Sequence, residues 1–233
     1  MTTVSGATVL VTGGQRGLGR AFEQELLEAG AAKVYATART PAAESDPRVV
    51  PMELEVTDQE SVENLARVAD DVSIVFNNAG IGGSGPLLET DMDEVMAVFD
   101  ANVFGALRVA KAFAPILAAN GGGALVDIHS ALSWAAGSGA YGATKAALWS
   151  LTNSLRLELA SNGTQVVGVH LGYADTDLTR GIDAPKNDPR VVARDVLTAL
   201  ADGETEVLAD DASRAFKAAL SGPVEGLSLP SRS

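Results

Sequence analysis

The chain has 233 residues, 46% of them apolar and 20% charged, with 24 glycines, no cysteine and a formal net charge of −13. So apolar a composition rules out an intrinsically disordered chain, and 30 acidic against 17 basic residues, with no basic cluster, argues against a nucleic-acid partner. Without cysteine there is no disulfide framework, no thiol nucleophile and no thiolate metal ligand.

Residues 1–6 lack the basic start and apolar run of a signal peptide, and the longest apolar stretch, 96–119, is broken by Asp100, Arg108 and Lys111. A soluble cytoplasmic protein with no membrane partner is expected. Short β-branched runs at 8–12, 33–37, 49–53, 73–76, 124–128, 165–171 and 205–209 alternate with helical patterns, the signature of a parallel sheet covered by helices on both faces. One helix is expected to start at a capping box of Thr57 and Glu60. No composition shift, linker or repeat divides the chain, so residues 1–233 are read as one domain, with 185–189 and 222–233 as loose segments. In 95–117 and 140–159 apolar residues spread beyond one helical stripe. Either these helices are buried deeply in the monomer, or they pair in a homodimer or homotetramer, the reading preferred here.

The first strand leads into Thr12-Gly13-Gly14-Gln15-Arg16-Gly17-Leu18-Gly19 and a helix with Phe22, Leu26 and Leu27 on one face. Glycines at a strand-to-helix turn let the backbone approach a pyrophosphate and aim the helix N-terminus at it. The spacing Gly-x-x-x-Gly-x-Gly differs from the common dinucleotide fingerprint, and a glycine-rich turn also serves plain packing. At the end of the second strand, about 20 residues beyond the glycines, a site for NAD carries an acidic residue. Here the chain reads Ala36-Thr37-Ala38-Arg39. Arg39 and Arg16 suit a ribose 2′-phosphate, which a carboxylate would repel, and so favour NADP(H) over NAD(H); the competing reading makes both solvated surface arginines.

Beyond the fifth strand come Asp127-Ile128-His129-Ser130-Ala131-Leu132-Ser133-Trp134 and Gly139-Ala140-Tyr141-Gly142-Ala143-Thr144-Lys145. Tyr141 and Lys145, at i and i+4, share one helical face. A nearby ammonium stabilises a phenolate, so a tyrosine tuned in this way serves as general acid or base toward an alcohol or carbonyl.

With Thr12 to Gly19, Asn77-Asn78-Ala79-Gly80, Asn102, Ser130 and Tyr141-x-x-x-Lys145 in this order, the chain resembles the short-chain dehydrogenase/reductase family over nearly its whole length. The resemblance implies a Rossmann-type, doubly wound α/β sandwich of three layers, with a seven-stranded parallel sheet in the order 3-2-1-4-5-6-7. It implies a tetrad in which Tyr141 is the general acid/base and Ser130 holds the substrate oxygen. Lys145 would bind the nicotinamide ribose and lower the phenol pKa, and Asn102 would anchor a water. Cofactor contacts are implied at Gly13, Gln15, Arg16, Gly17, Leu18, Gly19, Arg39, Glu55, Val56, Asn78, Ala79 and Gly80, and at Gly172, Ala174 and Thr176 as well as Tyr141 and Lys145. Residues 177–188 resemble a short substrate lid.

The chain departs from the family pattern at several points. Leu171 stands where the family has a proline, which removes a fixed φ before the cofactor loop, and Glu55 stands for an aspartate. The interval from Ser130 to Tyr141 is shorter than is common, which makes Ser133 and Ser138 rivals for the substrate-binding serine. Ser130 is chosen because it follows the strand end, where open α/β sheets place ligands. The C-terminus lacks a glycine-rich ending and carries instead a helical pattern over 212–220.

Plain readings suit the other notable residues: a structural or surface role for His129, no metal site from two histidines, an acidic first helical turn for Asp91, Asp93 and Glu94, and core or interface packing for Trp149. The expected activity is NADP(H)-dependent hydride transfer between a carbonyl and a primary or secondary alcohol. The alternative is a non-catalytic NADP(H)-binding regulator or scaffold of the same fold. The pocket lining expected from residues 82–88, Leu132, Trp134, Tyr173 and 178–182 is mostly apolar without a charged anchor, which suits a small, neutral, fairly apolar substrate.

Overall fold

In a computed structural model of the chain, which describes residues 1–83 and 85–229, seven strands and seven α-helices alternate except that β3 follows β2 directly and two helices lie between β4 and β5. The strands are β1 (Thr8–Val11), β2 (Lys33–Ala38), β3 (Val49–Glu53), β4 (Ile74–Asn77), β5 (Ala124–Ile128), β6 (Gln165–His170) and β7 (Glu206–Leu208). The helices are α1 (Gly17–Glu28), α2 (Gln59–Val68), α3 (Met92–Phe99), α4 (Gly105–Ala119), α5 (Gly139–Glu158), α6 (Pro189–Asp202) and α7 (Asp211–Ala219). All strand pairings are parallel, in the order β3-β2-β1-β4-β5-β6-β7 of a Rossmann-type sheet.

Alternate residues of each central strand serve opposite faces. Val9, Val11, Ile74, Phe76, Val126 and Val167 pack with Phe22 and Leu26 of α1 and Val196 and Leu200 of α6. Leu10, Val75, Leu125 and Val166 pack instead with Leu65 of α2 and Val109, Phe113 and Leu117 of α4. The direction of winding reverses between β1 and β4, and such a switch point leaves a crevice at the strand ends. The functional cleft opens there.

Three local readings change. Asp58, not Thr57, caps α2, its carboxylate accepting from the Glu60 N–H, while the Thr57 hydroxyl donates to Glu55. The helix expected over 95–117 starts earlier, at an Asp91 cap, and contains a π-helical turn, Asp100–Phe104, between α3 and α4. Among the described residues the run Met92–Ala119 is the one helix long and apolar enough to cross a membrane, yet half of its most apolar stretch is buried and α4 packs on the sheet. In the segment read as a loose tail, Val224–Leu227 forms a 3-10 turn whose Leu227 carbonyl accepts from Ala136 N–H at 2.8 Å; residues 230–233 lie outside the described residues.

Candidate active site

The glycine loop is shaped by what its neighbours leave free. Gly13 has a φ of +64°, in the left-handed region. A Cβ on Gly19 would lie 2.1 Å from the Gly13 carbonyl oxygen, so any side chain there would push the loop open. Thr12, directly after β1, and Asn78, directly after β4, clamp the loop: the Thr12 hydroxyl accepts from the N–H groups of Asn78 and Ala79, and Asn78 Nδ2 donates to Thr12 O at 2.9 Å. The first turn of α1 carries no acidic residue, and the Arg16 side chain makes no cap, so its free N–H groups are available to an anion.

Cations at the ribose end divide into two sets. Arg20 is committed to Glu44 at 2.7 Å and Glu23 at 2.9 Å, and Gln15 holds the loop after β2 through Ala42 and Glu44. Arg16 and Arg39 line the same end of the cleft, exposed, and among the described residues their guanidinium groups have no partner. The site offers glycine-lined space, a helix N-terminus and two guanidinium groups uncommitted among the described residues, and so fits a dinucleotide with an additional phosphate. The Glu55 carboxylate reaches the cleft, but one of its oxygens is already engaged by the N–H and hydroxyl of Thr57.

Tyr141 and Lys145 stand on the first two turns of α5, facing the end of β5. Lys145 Nζ donates to Ile128 O at 2.8 Å and lies 5.7 Å from the centre of the Tyr141 ring. Burial lowers the lysine to about 8, with the Asp127 carboxylate acting against it. Burial also pushes the Tyr141 phenol up to about 12, while the adjacent Ser130 hydroxyl pulls it down and Tyr173 pushes it up. The lowering expected from Lys145 does not appear: the one downward pull comes from Ser130, and burial outweighs it.

Asn102 lies in the π turn and is buried. Its side-chain amide accepts from Ile81 N–H and donates to Ile81 O and to Thr144. Gly80 has no room for a side chain, since a Cβ would lie 2.9 Å from Asn102 Oδ1. Ser130 starts a 3-10 turn, Ala131–Ser133, its hydroxyl accepting from Leu132 N–H and donating to Leu171 O. The rival Ser138 donates to Ala135 O, and Ser133 faces the Ser130 N–H. The short interval before Tyr141 presses on α5 at Gly142, where a Cβ would lie 1.7 Å from Ser138 Oγ.

One continuous cleft of about 2360 Å³ runs from Gly13 and Arg39 past Ser130, Tyr141 and Lys145 to Leu132, Tyr173 and Leu178. Gly17, Leu18, Val56, Ala79, Gly172, Ala174 and Thr176 also border it, whereas Gly19 and Asn102 support it from behind. Trp134 corrects the expected substrate lining. It is 6% exposed and does not border the cleft, because its indole stacks on His170 at 4.0 Å and meets Trp149 edge-on. Leu88 points fully into solvent, and Ser84, in the same expected segment, lies outside the described residues. The lining is also less uniformly apolar than expected, since Lys186, Asp177 and Asp211 border it.

Two contributors escaped the sequence reading. Helix α7 closes one wall with Ala212 and Phe216. At its N-cap the Asp210 carboxylate accepts from Gly172 N–H at 2.5 Å, Asn187 Nδ2 at 2.6 Å and Ser213 N–H at 2.8 Å. Against the upward push of burial, these donors hold the carboxyl below its usual range. Asp210 thus pins the loop that lacks the family proline to the base of the lid, where Asn187 N–H also donates to Tyr173 O. An aspartate before a helix is the only signal of this in the sequence.

Comparison with known proteins agrees with this architecture. The family model for short chain dehydrogenase matches residues 7–187. A solved short chain dehydrogenase from Burkholderia cenocepacia J2315, in complex with NADP, is 36% identical, with 97% of each chain covered and a TM-score of 0.90. The sorbitol dehydrogenase of Cereibacter sphaeroides is 34% identical over 193 residues, covering 78% of this chain and 75% of that protein. The 1-deoxy-11-beta-hydroxypentalenate dehydrogenase of Streptomyces avermitilis is 33% identical over 231 residues, covering 92% of this chain and 81% of that one.

Proposed function

The chain belongs to the short-chain dehydrogenase/reductase family, an oxidoreductase family, and from that premise we propose that it is an NADP(H)-dependent enzyme interconverting an alcohol and a carbonyl, with Tyr141 as general acid/base. The observation that carries this reading is the approach of Ser130, Tyr141 and Lys145 at one end of a cleft whose other end has Arg16 and Arg39 free of partners among the described residues. The nicotinamide, when bound, supplies or accepts the hydride.

The residues divide the remaining work. Arg16 and Arg39 bind the 2′-phosphate through charge-assisted hydrogen bonds, and the glycine loop receives the pyrophosphate. Ser130 and Tyr141 hold the substrate oxygen, and the buried phenol, protonated well above neutral pH, donates its proton as the oxygen gains charge. Lys145 orients the ribose and replenishes the proton. Asn102, its side-chain amide held by Ile81 and Thr144, anchors the water that connects Lys145 to solvent.

The cleft suits a small, fairly apolar substrate, with Leu178 facing Gly82 across its mouth and Lys186 and Asp211 offering polar contacts at the edge. Exposed Met92, Met96, Phe104 and Leu157 favour a homo-oligomer formed through the helices around 95–117 and 140–160, in a soluble cytoplasmic enzyme. The test is turnover of NADPH and NADH against a panel of ketones, aldehydes and their alcohols. Turnover with NADPH preferred is expected; no turnover across the panel, or a preference for NADH, would overturn the corresponding part of the proposal.

A further inference from the structure

Both histidines of the chain lie in one buried line of polar side chains behind Ser130, apart from the residues assigned to catalysis and cofactor binding. Asp127, Thr152, His129 and His170 are at most 1% exposed. Thr152 Oγ1 lies 2.7 Å from Asp127 Oδ2, 2.8 Å from His129 Nε2 and 2.8 Å from the Leu148 carbonyl oxygen one turn back in α5. His129 Nδ1 is 3.0 Å from His170 Nε2, and His170 Nδ1 is 3.3 Å from the Ser130 carbonyl oxygen. The surrounding fold makes space for it: a Cβ on Gly168 would lie 2.7 Å from His129 Cε1.

Counting hydrogens restricts how the line can be filled. Asn77 Nδ2 donates to Asp127 Oδ1, so any proton on Asp127 sits on Oδ2, facing Thr152. The Ser130 carbonyl only accepts, so His170 Nδ1 carries a hydrogen. With the Thr152 hydrogen turned along the line and away from the Leu148 carbonyl, whose partner within α5 is the Thr152 N–H, two arrangements satisfy the whole line. In the first, Asp127 is a carboxylic acid donating to Thr152, Thr152 donates to His129 Nε2, and His129 Nδ1–H donates to His170 Nε2, with both imidazoles neutral. In the second, Asp127 is a carboxylate accepting from Thr152, His129 Nε2–H donates to Thr152, and His170 is an imidazolium whose Nε2–H donates to His129 Nδ1. Three linked shifts connect them: Oδ2 loses its proton to Oγ1, Oγ1 passes its own to Nε2 of His129, and Nδ1 of His129 passes its own to Nε2 of His170. Each O–H or N–H bond broken is matched by one formed.

We propose that Asp127, Thr152, His129 and His170 are a buried proton relay, which shares one proton between the two ends of the line and thereby sets the charge facing Lys145. This rests on the assignment of Lys145 to the active site. At one end Asp127 faces Lys145 and Arg156 of α5. At the other, His170 Nε2 lies 3.8 Å from Glu206 of β7, which is paired at 2.7 Å with Lys217 of α7. With the proton at His170, a carboxylate opposes the Lys145 ammonium; with the proton at Asp127, that support is gone. The four are positioning residues, since they act on the site through Lys145 and the Ser130 backbone.

Because the chain has two histidines, isotope-labelled protein gives two imidazole signals by NMR, and Lys145 can be titrated in the same samples. Asp127→Asn keeps the hydrogen bonds of the acid form but has no proton to release. The wild type is expected to show His170 Nε2 partly protonated. Asp127→Asn is expected to show two neutral imidazoles with hydrogen on Nδ1, and a Lys145 that loses its proton about one pH unit lower. Thr152→Val should reproduce this and Thr152→Ser should restore the wild-type signals, which keeps the test available if Asp127→Asn does not fold. Unchanged histidine signals and an unchanged Lys145 titration in Asp127→Asn or Thr152→Val, or a bare Nδ1 on His170, would overturn the relay. If the signals change as expected but the alkaline limb of turnover stays in place, the relay stands and the assignment of Lys145 to catalysis falls.

Discussion

Around the turn from β1 to α1, the fold works with backbone: glycines without room for side chains, a helix N-terminus, and carbonyl and N–H groups clamped by Thr12 and Asn78. Across the cleft, the loops after β5 and β6 are held by side chains and strands from far along the chain, through Asp210 on Gly172, His170 on Ser130 and the Ala136–Leu227 pairing. The first kind of construction tolerates little substitution because its contacts are steric and local. The second distributes its support over several residues, so the loop chemistry can change while the sheet stays the same. In this chain Leu171 illustrates the point: the family proline is missing, and the Asp210 carboxylate holds the next residue instead.

Substitutions can test that contrast, beginning with the largest expected effect. Gly19→Ala places a methyl group against Gly13 O, and NADPH affinity should fall by about 10- to 100-fold in a fluorescence titration. Retention of wild-type affinity would show the loop to be less constrained than its packing implies. Asp210→Ala removes an N-cap and the donors' shared acceptor; it should cost about 2 kcal/mol in denaturant unfolding and raise KM for cofactor and substrate together. A stability loss without a change in KM would mean that Asp210 serves α7 alone. Arg39→Ala should weaken NADPH by about tenfold while leaving NADH within about twofold, as measured by calorimetry.

The smallest effect concerns pH. Lys145, lowered to about 8 by burial, loses its charge as pH rises through that value, so reductive turnover should decline above about pH 8 with the slope of one proton. A rate constant to pH 10 would separate Lys145 from the proton path.

The nucleotide half was legible in the sequence for the same reason that it is rigid. Gly13, Gly17 and Gly19 mark steric requirements within a few residues of each other, and the strand positions follow from β-branched runs buried on both faces. Tyr141 and Lys145 were legible because i, i+4 spacing is a property of the helix itself. Asp210, Phe216 and the contacts of Trp134 were not, because their partners are set by tertiary packing between segments distant in the chain. Trp134 follows Ser130 closely enough to suggest the pocket, yet the 3-10 turn at Ala131–Ser133 turns its ring onto His170. The same holds for His129, for which a structural or surface role was expected: it is buried, and its partners, Thr152 and His170, sit on other elements.

Tyr141→Phe tests the central claim most directly, measured as NADPH-driven turnover beside the thermal shift that NADPH produces. The account predicts turnover reduced by at least about 100-fold with the NADPH-induced shift retained, because the phenol is assigned the proton and not the cofactor's phosphates. A variant that turns over at the wild-type rate would contradict it.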